Sequence, residues 1–96
     1  MKLLWLIVDE GVAPDVADVL AQQGIKHWTR WENVQGAGRT GVRQGTPIWP
    51  GLNIIYLALV EPDVIPPLVE RLIQVRDSFP MRPGMLVFSL EAEQLA

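Results

Sequence analysis

The chain has 96 residues, the size of one small domain spanning positions 1–96. Hydrophobic residues make up 49% and charged residues 20%, and the net charge of −3 provides no basic footprint for nucleic acid or an anionic membrane surface. Cysteine is absent, which excludes disulfides, thiol catalysis and thiolate metal sites.

Residues 3–8 form a continuous apolar run that ends at Asp9, Glu10 and Gly11, as a buried strand before a turn does. The run is too short to span a bilayer, and no signal-peptide cleavage pattern follows it. A cytoplasmic protein that is not itself membrane-inserted is therefore expected. Pro14 suits the first turn of a helix, and Asp15 complements the positive end of its dipole. Val16, Val19 and Leu20 share one face of that helix, and Gly24 closes it with a left-handed cap. Residues 25–34 read as a second strand, followed by a glycine-rich stretch, and residues 52–60 as a third strand. Glu61, Pro62 and Asp63 signal a turn; Pro66 and Pro67 fit a first helical turn, where amide hydrogens lack partners anyway. Ile65, Leu68, Val69, Leu72 and Ile73 supply the buried stripe of this second helix. Residues 78–84, with two prolines, form a turn, and residues 85–90 a fourth strand.

The order is βαββαβ: an α+β, ferredoxin-like arrangement with two helices on one face of an antiparallel sheet. A sheet with one wet face alternates apolar and polar residues. Here Leu3, Trp5 and Ile7 are as apolar as Leu4, Leu6 and Val8, and the third strand repeats the pattern. Two helices cover only one face, so the other calls for a second copy of the chain, and an oligomer is expected. Burial of that face under long loops is the alternative.

Gly36-Ala37-Gly38-Arg39-Thr40-Gly41 matches G-x-G-x-x-G, the dinucleotide-binding fingerprint. That fingerprint requires a helix opening at its third glycine. Residues 42–51 lack helical periodicity and contain two prolines, so the Rossmann reading fails. Closely spaced glycines can still point backbone amides into an anion-binding nest, with Arg39 and Arg43 adding charged donors. A solvated connection between strands is the plainer alternative.

A βαββαβ chain of this size with "ENVQGAGRTG" leaving strand two resembles the PII signalling proteins and their PII-like relatives. The resemblance covers nearly the whole chain, although its specific part is those few residues. It implies a homotrimer whose sheets face one another, with adenine nucleotides bound in the clefts between subunits. It also implies a T-loop over about residues 36–51 and a B-loop over residues 79–84. By position, Gly36, Gly38 and Arg39 match the T-loop base, and Arg82 and Gly84 lie in the B-loop, so these five are the expected ligand-binding residues. Arg43 and Trp49 are the expected partner-binding residues of the T-loop. The departures are Thr40 and Gly41 where nitrogen-regulatory members carry glutamine and lysine, a B-loop with one arginine as its cation, and a T-loop shortened and without the modified tyrosine. The resemblance thus implies a divergent signal protein with ATP, ADP or AMP as exchangeable effector and no tightly bound cofactor. Its target would be a membrane transporter or an enzyme. A CutA-like trimer, with a metal-tolerance or structural role and a long two-stranded ribbon in place of the loop, is the alternative; Gly45, Pro47, Pro50 and Gly51 argue against that ribbon.

Of the four tryptophans, Trp28 and Trp31 lie three apart on a strand and so face opposite sides; Trp5 and one of this pair are expected in the core. His27, the single histidine, has no cysteine nearby, so an exposed or structural role outweighs a metal site. Asp9 and Glu10 fit turn and dipole chemistry better than an acid–base pair, since adjacent residues on an extended chain point apart. No nucleophile and base pair up in the sequence, and neither enzymatic activity nor a metal is expected.

Overall fold

The computed structural model describes residues 1–38, 41–43 and 51–96. Its main sheet has four antiparallel strands: β1 (Lys2–Asp9), β2 (Thr29–Val34), β5 (Asn53–Val60) and β6 (Met85–Glu91), in the spatial order β2-β5-β1-β6. Two short strands, β3 (Gly36–Gly38) and β4 (Gly41–Arg43), pair separately. Helices α1 (Ala13–Gln22) and α2 (Ile65–Asp77) connect the strands, each entered through one turn of 3₁₀ helix. This is the expected ferredoxin-like order.

The central pair shows why the sheet has two characters. β1 runs in full register between β5 and β6: Leu6 lies opposite Tyr56 and Val87, and Trp5 opposite Leu57 and Phe88. Leu4, Leu6 and Val8 are buried with Tyr56, Ala58 and Val60 against Val12, Val16, Val19 and Leu20 of the α1 side and Leu68 and Leu72 of α2. One face of the sheet is therefore the core. On the other, Leu3, Trp5, Ile7, Ile55, Leu57 and Leu59 are only half-buried, and Trp31, Leu86, Phe88 and Leu90 are exposed. Among the described residues no helix covers this apolar face, as the two-sided strand pattern requires.

Helix α1 ends in a full Schellman motif. Gly24 takes φ 78°, its N–H bonds to the Ala21 carbonyl, and the Ile25 N–H reaches back to Leu20. Ile25 is thereby pulled into the core beside Leu20. This corrects the second strand, expected from residue 25: the cap consumes residues 23–25, and β2 starts at Thr29. Helix α2 carries Pro66 and Pro67 in its first turn as expected. Its buried stripe is Leu68 and Leu72, joined by Ile65 and Val75; Ile73 is 40% exposed rather than buried. The helix tilts its stripe toward Val75, and Ile73 falls on the flank.

Candidate functional site

The segments expected as T-loop base and B-loop are brought to one end of the sheet by strand order alone. There the end of β2, the start of β5, the end of β1 and the start of β6 lie side by side: Val34 opposite Asn53, Asn53 opposite Asp9, and Val8 opposite Met85. Two backbone bonds tie the loops to the end of β1. The Asp9 N–H donates to the Gly84 carbonyl and the Glu10 N–H to the Leu52 carbonyl, both at 2.9 Å. The Asp9 carboxylate accepts from the Gly11 N–H at 2.9 Å and caps the 3₁₀ turn, the turn chemistry expected of it.

On the β2 side a bulge shapes the approach. Between Trp31, opposite Ile55, and Val34, opposite Asn53, β2 carries one residue more than β5. Asn33 absorbs it in the left-handed region at φ 58°, a conformation that asparagine tolerates better than most residues. The chain then enters β3, where Gly36 pairs with Arg43, Ala37 with Val42 and Gly38 with Gly41. Gly36 to Gly38 are extended backbone within this ladder; the expected nest also includes residues 39 and 40, which lie outside the described residues. The glycine at position 36 has a steric cause: a β-carbon at Gly36 would meet the Asn53 carboxamide nitrogen at 2.6 Å. Arg39 and Trp49 lie outside the described residues; of Arg43, the backbone position in β4 is described.

On the B-loop side, Arg82 donates to one oxygen of Asp77 through Nε at 3.2 Å and Nη2 at 3.0 Å. Arg76 Nε reaches the same oxygen at 3.1 Å. These arginines hold the Asp77 carboxyl below its ordinary range, Arg76 most strongly. Gly84 has open space where a side chain would stand, so access rather than packing marks this position. Gly36 lies against the Asn53 side chain at the start of β5, and the Gly84 carbonyl is bonded to Asp9, which pairs with Asn53 on the neighbouring strand β1.

A second feature lies toward the other end of β5. An open cleft of about 470 Å³ is lined by Leu3, Lys26, His27, Trp28, Thr29, Leu57, Ala58 and Leu59. It forms where the segment 25–28, detained by the helix cap, runs past β5 without pairing to it. Sequence periodicity does not reveal this cleft, because the segment reads as continuous strand. Trp28 packs edge-on against Tyr56 at 5.4 Å, and the Arg30 guanidinium lies 5.5 Å from the Trp28 ring centre. Arg30 is held above its ordinary range, first by its hydrogen bond to Tyr56. Trp31 points to the opposite side, as the spacing requires. There it stacks on Trp5 at 6.3 Å, and Trp5 stacks on Phe88 at 5.9 Å. Trp5, expected in the core, therefore lies in an aromatic row across the uncovered face, and Trp28 and Trp31, one of which was expected in the core, are both exposed. The Trp5 indole N–H is buried with no hydrogen-bond partner among the described residues.

Among the described residues no group of three or more His, Asp or Glu side chains could hold a metal, and no helix is long and apolar enough to cross a membrane. No protein-family model matches the sequence, and no curated protein matches it significantly. Solved structures do. CPII, a nitrogen regulatory PII-like protein from Thiomonas intermedia K12 bound to ADP, AMP and bicarbonate, superposes with a TM-score of 0.74 at 21% identity, covering 97% of this chain and 88% of CPII. CPII bound to ADP and bicarbonate gives 0.73 at 22% identity, with 97% and 88% covered. A protein of Thermus thermophilus described as PII-like and signalling gives 0.67 at 18%, with 93% and 83% covered. The chain has the PII-like ferredoxin fold over almost its whole length.

Proposed function

We propose that this chain is a PII-like signal protein: a homotrimer that senses a small anionic effector, an adenine nucleotide, in the clefts between its subunits. Effector binding shifts the population of T-loop conformations, and the T-loop is read by a transporter or an enzyme. The observation that carries the reading is the joint placement of T-loop base and B-loop at one sheet end, on a chain whose second sheet face is apolar and uncovered. Gly36 and Gly38 would offer backbone, Arg39 and Arg82 charge, and Gly84 room for the ligand. Arg43 and Trp49 would face the target. The PII-like neighbour CPII is seen with ADP, AMP and bicarbonate, which supports an adenine nucleotide as the effector class. The reading is regulatory and gives the protein no catalytic step of its own. The CutA-like alternative gains nothing from the described ribbon, whose ladder has three residue pairs.

Calorimetric titration with ATP, ADP, AMP and cyclic dinucleotides, repeated on Arg39→Ala, tests the proposal. Micromolar binding of one adenine nucleotide, weakened in the variant, is expected; absence of heat from every nucleotide refutes it.

A further inference from the structure

The turn that carries Arg82 is fixed at both ends. At its start the Ser78 N–H bonds to the carbonyls of Gln74 and Val75, Ser78 Oγ donates to the Val75 carbonyl at 2.6 Å, and Phe79 packs against the core. At its end the Gly84 carbonyl accepts the Asp9 N–H. Pro80 and Pro83 restrict the backbone between these anchors. Arg82 is thus delivered to a defined position, and that position is the Asp77 carboxylate.

Asp77 is an unusual residue to find there. It is the last residue of α2, where the helix dipole disfavours a negative charge. The three guanidinium contacts from Arg76 and Arg82 all fall on a single carboxylate oxygen, so the anion gathers charge-assisted donors of the kind that also bind phosphate. We propose that Asp77 is an internal stand-in for the ligand's anion: its carboxylate occupies Arg82, and a phosphate group reaching the turn binds by displacing it. The proposal rests on the anion-binding reading of the B-loop given above and adds the residue that sets its affinity. Both partners are largely exposed, with 49% of the Asp77 side chain and 63% of the Arg82 side chain in solvent. An exposed pair is weak, so Asp77 tunes binding rather than blocking it.

Calorimetry with ADP, and separately with inorganic pyrophosphate, on the full chain and its Asp77→Asn, Arg82→Ala and double variants tests this. Glu70→Gln, which removes one negative charge from the same helix, controls for net charge. Asp77→Asn is expected to bind about two- to fivefold tighter than the parent. Glu70→Gln should show no comparable gain, and Arg82→Ala should abolish the gain in the double variant. An Asp77→Asn affinity no higher than that of Glu70→Gln, or a gain that survives Arg82→Ala, overturns the proposal. If ADP binds the parent and Arg39→Ala weakens it while Asp77→Asn is neutral, the proposal falls and the nucleotide reading stands. A gain seen with pyrophosphate and no ADP binding keeps the role of Asp77 and removes the nucleotide. Failure of both ligands on every variant overturns the proposal, and the nucleotide reading falls with it if ATP, AMP and the cyclic dinucleotides also give no heat.

Discussion

Leu86→Asp tests whether the uncovered sheet face is an interface. Leu86 lies on edge strand β6 with 61% of its surface in water, in line with Ile7 and Ile55 across the sheet. Complete burial of a leucine side chain is worth about 1.5–3 kcal/mol, so covering the part still exposed contributes about 1–2 kcal/mol per subunit. Three copies bring this to about 3–6 kcal/mol, and a desolvated carboxylate would add a further penalty. With tenfold in the equilibrium constant for every ~1.4 kcal/mol, and a midpoint concentration that scales as the square root of a trimer's constant, the variant should dissociate at concentrations at least about 10-fold higher than the parent requires. In the monomer the aspartate stays in water, and the cost to folding should remain near the β-propensity difference of about 1 kcal/mol. Size-exclusion chromatography with light scattering across a dilution series reads the first effect, and circular dichroism with urea titration the second. A parent that is monomeric at all concentrations, or a Leu86→Asp variant that stays trimeric beside it, refutes the reasoning. Should Leu86→Asp fail to fold, Leu90→Asp, 52% exposed on the same strand and face, replaces it.

Three further outcomes are expected. Gly36→Ala should cost about 0.5–1.5 kcal/mol in urea unfolding, because the Asn53 carboxamide must leave its rotamer, and Asn53→Ala in the same chain should recover most of the loss. Asn33→Ala should destabilise by about 1–2 kcal/mol, the cost of a left-handed residue without asparagine's local bonding, whereas Asn33→Gly should be tolerated. The carboxyls of Asp77 and Glu91 lie below their ordinary values of 3.8 and 4.5, Asp77 chiefly through Arg76 and Glu91 through Lys2. Their folded forms bind protons less readily than the unfolded chain, so their contribution is complete above those ordinary values and is lost as pH falls through the depressed ones. Thermal melts below pH 5 should accordingly show a shallower acid slope for Lys2→Gln than for the parent.

The central strands and both helices are legible in the sequence because their burial follows a period. Residues 3–8 and 52–60 are apolar on both parities, and the structure places one parity on the helices and the other on an open face. The errors cluster where local hydrogen bonding overrides hydrophobicity. Ile25 is as apolar as any strand residue, yet the amide that would start β2 is spent on the Leu20 carbonyl. "GAG" carries no strand signal, yet it pairs, because the bulge at Asn33 turns the chain and β4 lies within reach. The size of Trp5 suggests the core; its register opposite Leu57 and Phe88 decides its side, and only the pairing reveals that. The engagement of Arg82 by Asp77 is not readable either, since it depends on how a proline-containing turn folds back upon a helix end.

The amides of Asp9 and Glu10 are consecutive on the chain, and one holds Gly84, just before β6, while the other holds Leu52, just before β5. Two segments that are distant in sequence are thus tied to the two peptide groups that flank the Asp9 α-carbon. Under the proposed function, a ligand that drew Gly84 toward itself would pull on the first of these groups and, through the Asp9 α-carbon, on the bond to Leu52. Information can then cross the sheet end through the main chain of β1, with no relay of side chains. For such a device the identity of residues 9 and 10 matters less than their two hydrogens, and proline at either position would disconnect the loops while leaving every candidate ligand contact in place.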